Sequence, residues 1–244
     1  MSGNRSSRVI IQAGGRGTRL APYTTVLPKP LMPVEERPIL EIMIRQLVGQ
    51  GFDRITITLG YLGALIMAVL GDGRRLGANI EYVHETDPRG TIGAVRLVEK
   101  LDEPFLVMNG DLLTDLDFRA LVADHRQSGA IVTVATARKQ VPISLGVVTI
   151  DDQRRLVGYD EKPTLHYTVS TGIYVMKRRI QELLVPPRRM DLPDLLRDLI
   201  ARGEHVHCHP HEGEWLDIGR PEDYEEALSR YAADPARFVP PTPR

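Results

Sequence analysis

The first half of the chain alternates short apolar runs with longer segments in which apolar residues recur at helical spacing. The apolar runs indicate buried strands at 8–12, 54–60, 79–85 and 104–111. The helical spacing indicates helices at 39–51, 62–73 and 93–101. Strands that alternate with helices favour a parallel sheet covered by helices on both faces. The sequence therefore predicts an α/β protein with a ligand crevice beyond the carboxyl ends of its strands.

The second half of the chain has a different pattern. Its apolar, β-branched runs have short links and predict strands at 130–136, 145–151, 154–163, 166–176, 204–210 and 213–219. Short links favour mixed or antiparallel pairing, since parallel strands need a long crossover. Helices are predicted at 190–203 and 221–232, the first with Asp191 as its N-cap and Pro193 in its first turn.

Composition and charge exclude several classes of protein. The 244 residues carry a net charge of −1, whereas a nucleic-acid-binding domain usually has a basic excess. No apolar run is long enough for a membrane span, and the first residues lack the apolar core of a signal peptide. The single cysteine, Cys208, permits no internal disulfide and fits a reducing compartment. We therefore expect a cytoplasmic protein with no nucleic-acid or membrane partner. Whether it forms a homo-oligomer stays open.

Three glycines follow the first predicted strand in the stretch AGGRGTRLAPYTTVLPKPLMPV (13–34). Their spacing matches neither the dinucleotide-binding fingerprint nor the P-loop, and Pro22 prevents an α-helix directly after them. Gly14, Gly15 and Gly17 could let backbone N–H groups approach phosphate oxygens, or could simply form a tight turn. The glycine spacing alone leaves both interpretations open.

The prolines of the same stretch favour the phosphate interpretation. Pro28 and Pro30 restrict the backbone on both sides of Lys29, and Arg19 stands between the glycines and the prolines. A lysine fixed in this way is a placed point charge. Triphosphate chemistry requires such charges, because catalysis there consists mainly of positioning and charge neutralisation.

The whole stretch resembles the signature of the sugar-1-phosphate nucleotidyltransferases, or nucleotide-diphospho-sugar pyrophosphorylases. Every fixed position of G-G-x-G-T-R-L-x-P-x-T-x-x-x-P-K-P-L-x-P is met. The resemblance continues through NGD (109–111), YDEKP (159–163), STGIY (170–174) and WLDIG (215–219). It implies a Rossmann-like three-layer sandwich with a mixed, mostly parallel central sheet, the nucleotide-diphospho-sugar transferase fold.

The resemblance also implies how the chain is divided. We expect a single nucleotidyltransferase domain at 1–232, with a nucleotide-binding half at 1–111 and a sugar-binding half at 112–232. The tail at 233–244 is rich in proline, and we expect it to be flexible.

By the same resemblance, a sugar 1-phosphate oxygen attacks the α-phosphorus of a nucleoside triphosphate and pyrophosphate leaves. The catalytic residues would be Arg19, Lys29, Asp111, Lys162 and Asp217. The nucleotide would contact Gln12, Ala13, Gly14, Gly15, Gly17, Thr18, Arg19, Lys29, Glu85, Gly90, Thr91 and Asp111. The sugar phosphate would contact Gly146, Glu161, Lys162, Thr171 and Gly172.

The cofactor implied by the resemblance is Mg²⁺, with Asp111 and Asp217 as its protein ligands. A hard ion bound by one or two carboxylates and by substrate phosphates suits these residue types. Nearby acidic residues have a simpler explanation, since Asp115 or Asp117 is better placed to cap the helix that follows. No general base is needed, because a phosphate oxygen is already an anion.

Glu85 is the residue that the resemblance places at the base. A carboxylate only accepts hydrogen bonds, and guanine offers two adjacent donors, so Glu85 favours GTP. The pattern is closest to the mannose-1-phosphate guanylyltransferase branch, although Arg89 and Ile92 depart from it. Mannose 1-phosphate and heptose 1-phosphate are the natural sugar substrates for that branch.

Two other functions stay open. One is thymidylyl or uridylyl transfer to glucose 1-phosphate. The other is a non-catalytic subunit that senses a nucleotide sugar, which the presence of all five catalytic residues disfavours.

Four histidines recur with period two at His205, His207, His209 and His211. In an extended strand they would share one face, a geometry that could bind Zn²⁺. An exposed strand face that carries imidazoles is the favoured interpretation, because side-chain alternation alone creates such rows.

Overall fold

A central sheet of seven strands organises the protein. The structure, a computed structural model, describes residues 7–85, 90–184 and 189–239. Its strands are β1 (Val9–Ala13), β2 (Pro33–Val34), β3 (Arg37–Pro38), β4 (Arg54–Leu59), β5 (Asn79–His84), β6 (Phe105–Asn109), β7 (Leu112–Thr114), β8 (Val132–Pro142), β9 (Val147–Ile150), β10 (Leu156–Asp160), β11 (Thr164–Met176), β12 (Val206–His211) and β13 (Trp215–Asp217). Its α-helices are α1 (Ile39–Gly49), α2 (Gly63–Leu70), α3 (Phe118–Ser128), α4 (Ile180–Leu183), α5 (Leu192–Ala201), α6 (Pro221–Ala233) and α7 (Pro235–Phe238).

The sheet is mixed and mostly parallel, as predicted. Its order is β12-β8-β11-β6-β1-β4-β5, and β11 runs antiparallel to both of its neighbours while the other neighbouring pairs are parallel. Strand β11 returns antiparallel to β8, with Thr164 opposite Pro142, and the β9–β10 hairpin lies between the two strands in the chain. Three small two-stranded sheets pair β2 with β3, β7 with β13, and β9 with β10.

Two apolar cores cover the two faces of this sheet. Val9 and Ile11 of β1 belong to one core, and Ile10 belongs to the other, because successive side chains of a strand point to opposite faces. The first core includes apolar residues of α1, α2, α3 and α6, and the second includes those of α4 and α5. The layers are therefore helices, sheet and helices, which is the predicted α/β sandwich.

Three single turns of 3-10 helix replace an α-helix after β1. They span Thr18–Leu20, Tyr23–Thr25 and Lys29–Leu31. This agrees with the prediction that the prolines of the stretch prevent an α-helix there. The N-cap predicted for α3 is also present, since Asp117 accepts hydrogen bonds from the backbone N–H groups of Arg119 and Ala120.

The predicted helix at 93–101 is wrong in type and length. A 3-10 helix spans only Gly93–Leu97. The side chain of Gln181 donates hydrogen bonds to the carbonyls of Val95 and Val98, at 3.0 and 2.8 Å. A carbonyl oxygen can accept two hydrogen bonds, and that of Val95 also accepts from the Val98 N–H at 3.2 Å. The segment therefore ends in a 3-10 turn, to which Gln181 adds a tertiary contact.

The prediction of a flexible tail from residue 233 is wrong for its first part. Helix α6 includes Ala233, and α7 follows at once with Asp234 as its N-cap. Phe238 is buried, and its ring packs on Tyr231 with 5.7 Å between the ring centroids. Burial of Phe238 and the ion pair of Arg237 with Asp115 at 2.5 Å hold this segment against the domain, while the prolines at 240–243 lie outside the described residues.

The row of histidines lies along β12 at the edge of the sheet. His207 and His209 both contact Asp124, at 3.2 and 2.7 Å, and His211 contacts Asp115 at 3.1 Å. Within the described ranges, no group of three or more His, Cys, Asp or Glu side chains is arranged to hold a metal ion. A search of the same residues for a helix long and apolar enough to cross a membrane finds none.

Candidate active site

A cleft of about 750 Å³ opens where β1, β4, β5 and β6 end. Its walls are the segments that follow these strands, which the parallel arrangement brings to one edge of the sheet. The cleft-lining residues include Gln12, Ala13, Gly14, Gly15, Gly17, Thr18, Arg19, Lys29, Glu85, Gly90, Thr91 and Asp111. All twelve residues predicted to contact a nucleotide therefore share this cleft.

The glycine loop folds back onto the proline-braced segment. Gly17 has a φ of +62°, and a Cβ atom there would lie 3.0 Å from Thr24 Cγ2 and 3.1 Å from Lys29 Cβ. The Thr24 hydroxyl donates to the Gly17 carbonyl at 2.8 Å and fixes this turn. At Gly15, no described atom lies within 4 Å of the position a Cβ would take. The backbone of Gly15 is consequently open to a ligand in the cleft.

Lys29 is held in place by its neighbours in the chain. Pro28 has an extended backbone, Pro30 lies in the 3-10 turn, and the Lys29 side chain is only 9% exposed. Its ammonium group forms an ion pair with Asp111. Arg19, in contrast, is exposed, and its guanidinium Nη1 lies 3.4 Å from the position of a Cβ at Gly219. The same stretch thus supplies one buried cation, Lys29, and two exposed cations, Arg16 and Arg19.

Asp111 and Asp217 come together although they are about a hundred residues apart. Strand β13 pairs with β7 so that Asp217 is opposite Leu112, and the Ile218 N–H donates to the Asp111 carbonyl at 3.2 Å. Burial raises the pKa of Asp217, and the negative charge of Asp111 raises it further. The two carboxylates are therefore close enough to repel each other.

This pair fits a hard divalent cation. Asp111 Oδ1 is buried and has no hydrogen-bond partner within the described ranges, while its Oδ2 contacts Lys29. A cation would neutralise the repulsion between the two carboxylates and engage the unpartnered oxygen. Mg²⁺ prefers such a site, with one or two carboxylates and the remaining positions taken by water and phosphate.

Glu85 follows β5 and Gln12 lies within β1, and both line the cleft. The Glu85 N–H donates to the Leu59 carbonyl at 2.9 Å, and Glu85 Oε1 lies 3.3 Å from the position of a Cβ at Gly14. Gln12 Nε2 is buried and makes no hydrogen bond to any described residue. A carboxylate and an amide therefore line the cleft next to the glycine loop, where they could contact a purine or pyrimidine edge.

The residues predicted to bind the sugar phosphate are not all at the cleft. Gly172 adjoins it, since a Cβ there would lie 2.6 Å from Nδ2 of Asn109, a residue of the cleft wall. Thr171 is buried beside it and donates its hydroxyl hydrogen to the Ala135 carbonyl at 2.8 Å.

Gly146, Glu161 and Lys162 lie instead around the β9–β10 hairpin, and none of them is among the residues that line the cleft. They are grouped around Tyr159. Its hydroxyl donates to Glu161 Oε2 at 2.7 Å, and a Cβ at Gly146 would meet the same hydroxyl at 2.2 Å. Lys162 Nζ is 3.7 Å from Glu161 Oε1, and its side chain is 67% exposed.

A smaller cavity of about 350 Å³ is lined by Arg19, which it shares with the cleft, and by Asp217. Lys139, Val169, Trp215 and Arg220 also line it. The indole N–H of Trp215 donates to the Thr171 carbonyl at 2.8 Å, which fixes the ring orientation.

Sequence reasoning missed several residues of the cleft wall. These are Arg16, Pro30, Thr58, Gly60, Tyr61, Asn109, Gly110, Arg189 and Asp191. Asn109 and Gly110 belong to the NGD motif and could have been included, and Gly60 ends a predicted strand. Arg189 and Asp191 carried no such signal, because they approach the cleft from the other half of the chain.

Comparison with known proteins identifies the family. The model of the nucleotidyl transferase family matches residues 8–234, so the chain belongs to this family. It is 32% identical over 243 residues to the UTP–glucose-1-phosphate uridylyltransferase of Synechocystis sp., covering 91% of this chain and 62% of that protein. It is also 32% identical over 240 residues to the mannose-1-phosphate guanylyltransferase of Mycobacterium tuberculosis, covering 96% and 66% of the two chains.

The protein therefore spans a little under two thirds of the length of these relatives. Among solved structures, its fold is similar to that of HddC from Yersinia pseudotuberculosis, with a TM-score of 0.73 and 24% sequence identity over 92% of this chain and 99% of that chain. The predicted family and the predicted fold are both confirmed.

Proposed function

We propose that the protein transfers a nucleoside monophosphate from a nucleoside triphosphate, preferably GTP, to a sugar 1-phosphate of the mannose or heptose type. The products are a nucleoside diphosphate sugar and pyrophosphate. One observation carries the proposal: the glycine loop, the buried Lys29–Asp111 pair and Glu85 line a single cleft at the carboxyl ends of parallel strands, and the pairing of β13 with β7 brings Asp217 next to Asp111.

The reaction we propose exchanges one bond of the α-phosphorus for another. A phosphate oxygen of the sugar 1-phosphate attacks this phosphorus, and the bond to the β-phosphate oxygen breaks as pyrophosphate leaves. The attacking oxygen is already an anion, so no proton has to be removed. What the protein must supply is alignment and neutralisation of negative charge.

Lys29 and Arg19 are the residues that would supply positive charge. Lys29 is buried and braced by two prolines, so its ammonium group is preorganised for the phosphate at which charge develops. Arg19 is exposed at the rim, where the pyrophosphate would leave. Asp111 and Asp217 would hold Mg²⁺, which supplies further neutralisation of the phosphate oxygens when bound.

Glu85 supports the preference for guanine. Guanine presents a ring N–H and an exocyclic NH₂ side by side, and one carboxylate can accept from both. Thymine and uracil would present carbonyl oxygens next to their single N–H group. Uridylyl transfer to glucose 1-phosphate is the second candidate, because a relative at 32% identity is named for that reaction.

For the sugar side, we propose that Lys162 binds the phosphate and that Glu161 accepts hydrogen bonds from sugar hydroxyls. Lys162 has a φ of +47°, an uncommon conformation for a residue other than glycine. It is held there by the Ile143 N–H, which donates to the carbonyl of the next residue, Pro163, at 2.9 Å. Such backbone conformations cluster at functional sites, which favours a role for Lys162 in binding.

A pyrophosphate-release assay tests the proposal. It would combine ATP, GTP, CTP, UTP and dTTP with mannose, heptose and glucose 1-phosphates. We expect the highest kcat/KM with GTP. A preference for UTP or dTTP with glucose 1-phosphate would select the second candidate. No turnover with any pair, together with tight binding of a nucleotide sugar, would indicate a sensing subunit instead.

The role of Glu85 is tested by Glu85→Gln. An amide has only one accepting atom, so its NH₂ group would face the second guanine donor. The variant should lose roughly 5- to 150-fold in kcat/KM for GTP, the cost of one unpaired polar group. The ratio of UTP to GTP activity should rise at the same time, and an unchanged ratio would exclude Glu85 from base recognition.

A further inference from the structure

The wall of the cleft that contains Gly90 and Thr91 is tied to the start of α5. The Thr91 N–H donates to Asp191 Oδ1 at 2.9 Å, and the Leu192 N–H donates to Thr91 Oγ1 at 2.8 Å. The Ile92 N–H adds a third hydrogen bond, to the Met190 carbonyl at 3.3 Å. Segments about a hundred residues apart are thus joined by an exchange of hydrogen bonds in both directions.

Asp191 does not act as an ordinary N-cap in this arrangement. It occupies the N-cap position of α5, as predicted, but its side chain makes no capping hydrogen bond to its own helix. The hydroxyl of Thr91 accepts from the first turn in its place, and the Asp191 carboxylate binds the Thr91 backbone instead. The carboxylate of an N-cap residue, which normally stabilises its own helix, is here used on the cleft wall.

The close approach of the two segments requires glycine at position 90. Gly90 has a φ of +85°, and a Cβ atom there would lie 2.3 Å from the Met190 carbonyl oxygen and 2.9 Å from Asp191 Oδ1. A side chain at this position would push the wall away from α5. The contact is therefore built into the backbone as well as into the side chains.

Arg189 completes the surroundings of the carboxylate. Its Nη2 lies 3.6 Å from Asp191 Oδ2, so the two oxygens of Asp191 face a backbone donor and a cation respectively. Gly90, Thr91, Arg189 and Asp191 all line the cleft together with Glu85. A displacement of this wall would change the space available to whatever lies against Glu85.

We propose that Asp191 and Thr91 are positioning residues that hold the base-facing wall of the nucleotide cleft in register with the second half of the domain. This inference rests on the proposed function, since it assigns the wall to the nucleotide. The hydrogen bonds of this pair fix the distance between the wall and α5, so losing one of them should weaken the contact between the wall and the nucleotide.

The test compares Asp191→Ala with Asp191→Asn. The alanine variant removes the acceptor for the Thr91 N–H, whereas asparagine keeps a carbonyl oxygen at that position. We expect Asp191→Ala to raise the KM for the triphosphate about 10- to 100-fold, as for the loss of one charge-assisted hydrogen bond. The KM for the sugar 1-phosphate should change less than about twofold, and Asp191→Asn should recover most of the loss.

The matched control is Asp194→Ala. Asp194 lies one turn further along α5 and pairs with Arg197 at 3.0 Å, and the cleft wall does not include it. Asp194→Ala should leave the KM values for the triphosphate and for the sugar 1-phosphate unchanged. Two results would overturn the inference. One is an equal increase in the KM values for both substrates in Asp191→Ala, and the other is an equal effect of Asp191→Ala and Asp194→Ala on the KM for the triphosphate.

A second pair of variants keeps the inference testable if Asp191→Ala does not fold. Thr91→Val removes the hydroxyl that caps α5, and Thr91→Ser keeps it. Nucleoside triphosphate binding, measured by calorimetry, should weaken in Thr91→Val and be retained in Thr91→Ser. If the wild type binds a triphosphate but transfers nothing, the proposed function fails while this comparison still decides the positioning role. If the wild-type protein binds no triphosphate, both the proposed function and the positioning role are refuted.

Discussion

The main cleft and the β9–β10 hairpin differ in how firmly they hold the residues that the family resemblance assigns to the site. In the cleft, Lys29 is buried and paired with Asp111, and the segments around it are tied to the sheet. On the hairpin, Lys162 is mostly exposed and contacts only Glu161 at 3.7 Å among its charged neighbours that the structure describes. The two motifs are equally recognisable in sequence, yet only one is preorganised by the fold.

The hairpin owes its exposure to its pairing. Strands β9 and β10 pair only with each other, and cross-strand partners Ile150–Leu156 and Val148–Tyr159 place four large apolar side chains on one face, each more than half exposed. A two-stranded hairpin is only marginally stable by itself in water. The lesson is that a binding residue gains rigidity from the number of layers around it.

Removal of the buried cation Lys29 should reduce activity more than any other change considered for the two regions. Lys29→Ala should lower kcat by about 100- to 1,000-fold, the cost of losing a preorganised group that stabilises transition-state charge. It also leaves the carboxylate of Asp111 without its partner. The measurement is pyrophosphate release at saturating substrates, with the exposed Arg119→Ala as control. A loss of less than tenfold would mean that burial of Lys29 serves folding alone.

A second prediction concerns the core that supports β8, the strand from which the hairpin extends. His125 is 2% exposed, its Nδ1 is 2.8 Å from Thr133 Oγ1, and its Nε2 has no partner within the described ranges. Burial, with Lys177 and Arg126 nearby, lowers its pKa from 6.5 to about 4. As the pH falls below 6.5, His125 therefore becomes protonated in the unfolded chain but stays neutral in the folded protein.

Stability should consequently fall between pH 6.5 and about 4, by roughly 3 kcal/mol from this residue. Urea unfolding at several pH values measures it, and His125→Gln should flatten the curve over that range. If wild type and variant lose stability in parallel, His125 is not the responsible group.

On the hairpin side, Lys162→Ala should weaken binding of the sugar 1-phosphate by about 1.5–3 kcal/mol, as for a lost charge-assisted contact. The KM for the triphosphate should stay unchanged. Arg154→Ala, a change at another residue between β9 and β10, serves as control. Equal losses for both substrates would place Lys162 at the nucleotide, which would remove the functional distinction between the two regions.

The smallest expected effect is a gain in stability. Because burial and the charge of Asp111 raise the pKa of Asp217, its ionised form is less favourable in the folded protein than in the unfolded chain. Asp217→Asn should therefore raise Tm slightly in the presence of a chelator. Mg²⁺ should raise the Tm of the wild type but not of the variant, and a variant that responds to Mg²⁺ like the wild type would exclude Asp217 as a ligand.

Most of the local elements, and most of the residues that line the cleft, could be predicted from the amino-acid sequence. Apolar runs located the strands, and the glycines and prolines at 14–33 excluded an α-helix there. The resemblance to the family implied twelve nucleotide contacts, and all twelve line one cleft, as expected for residues near the carboxyl ends of parallel strands. These features depend on steric preferences of a few neighbouring residues, which a sequence carries directly.

The contacts between segments far apart in the chain could not be predicted from the sequence and are seen only in the tertiary structure. The pairing of β13 with β7 brings Asp217 to Asp111, and the contact with α5 turns Asp191 from a helix cap into part of the cleft wall. A contact of the same kind joins Gln181 to the end of the 3-10 turn where a helix was predicted at 93–101, and burial of Phe238 packs α7 against the domain. Each of these outcomes depends on hydrogen bonds or apolar area shared between segments far apart in the chain, and local periodicity contains no information about such partners.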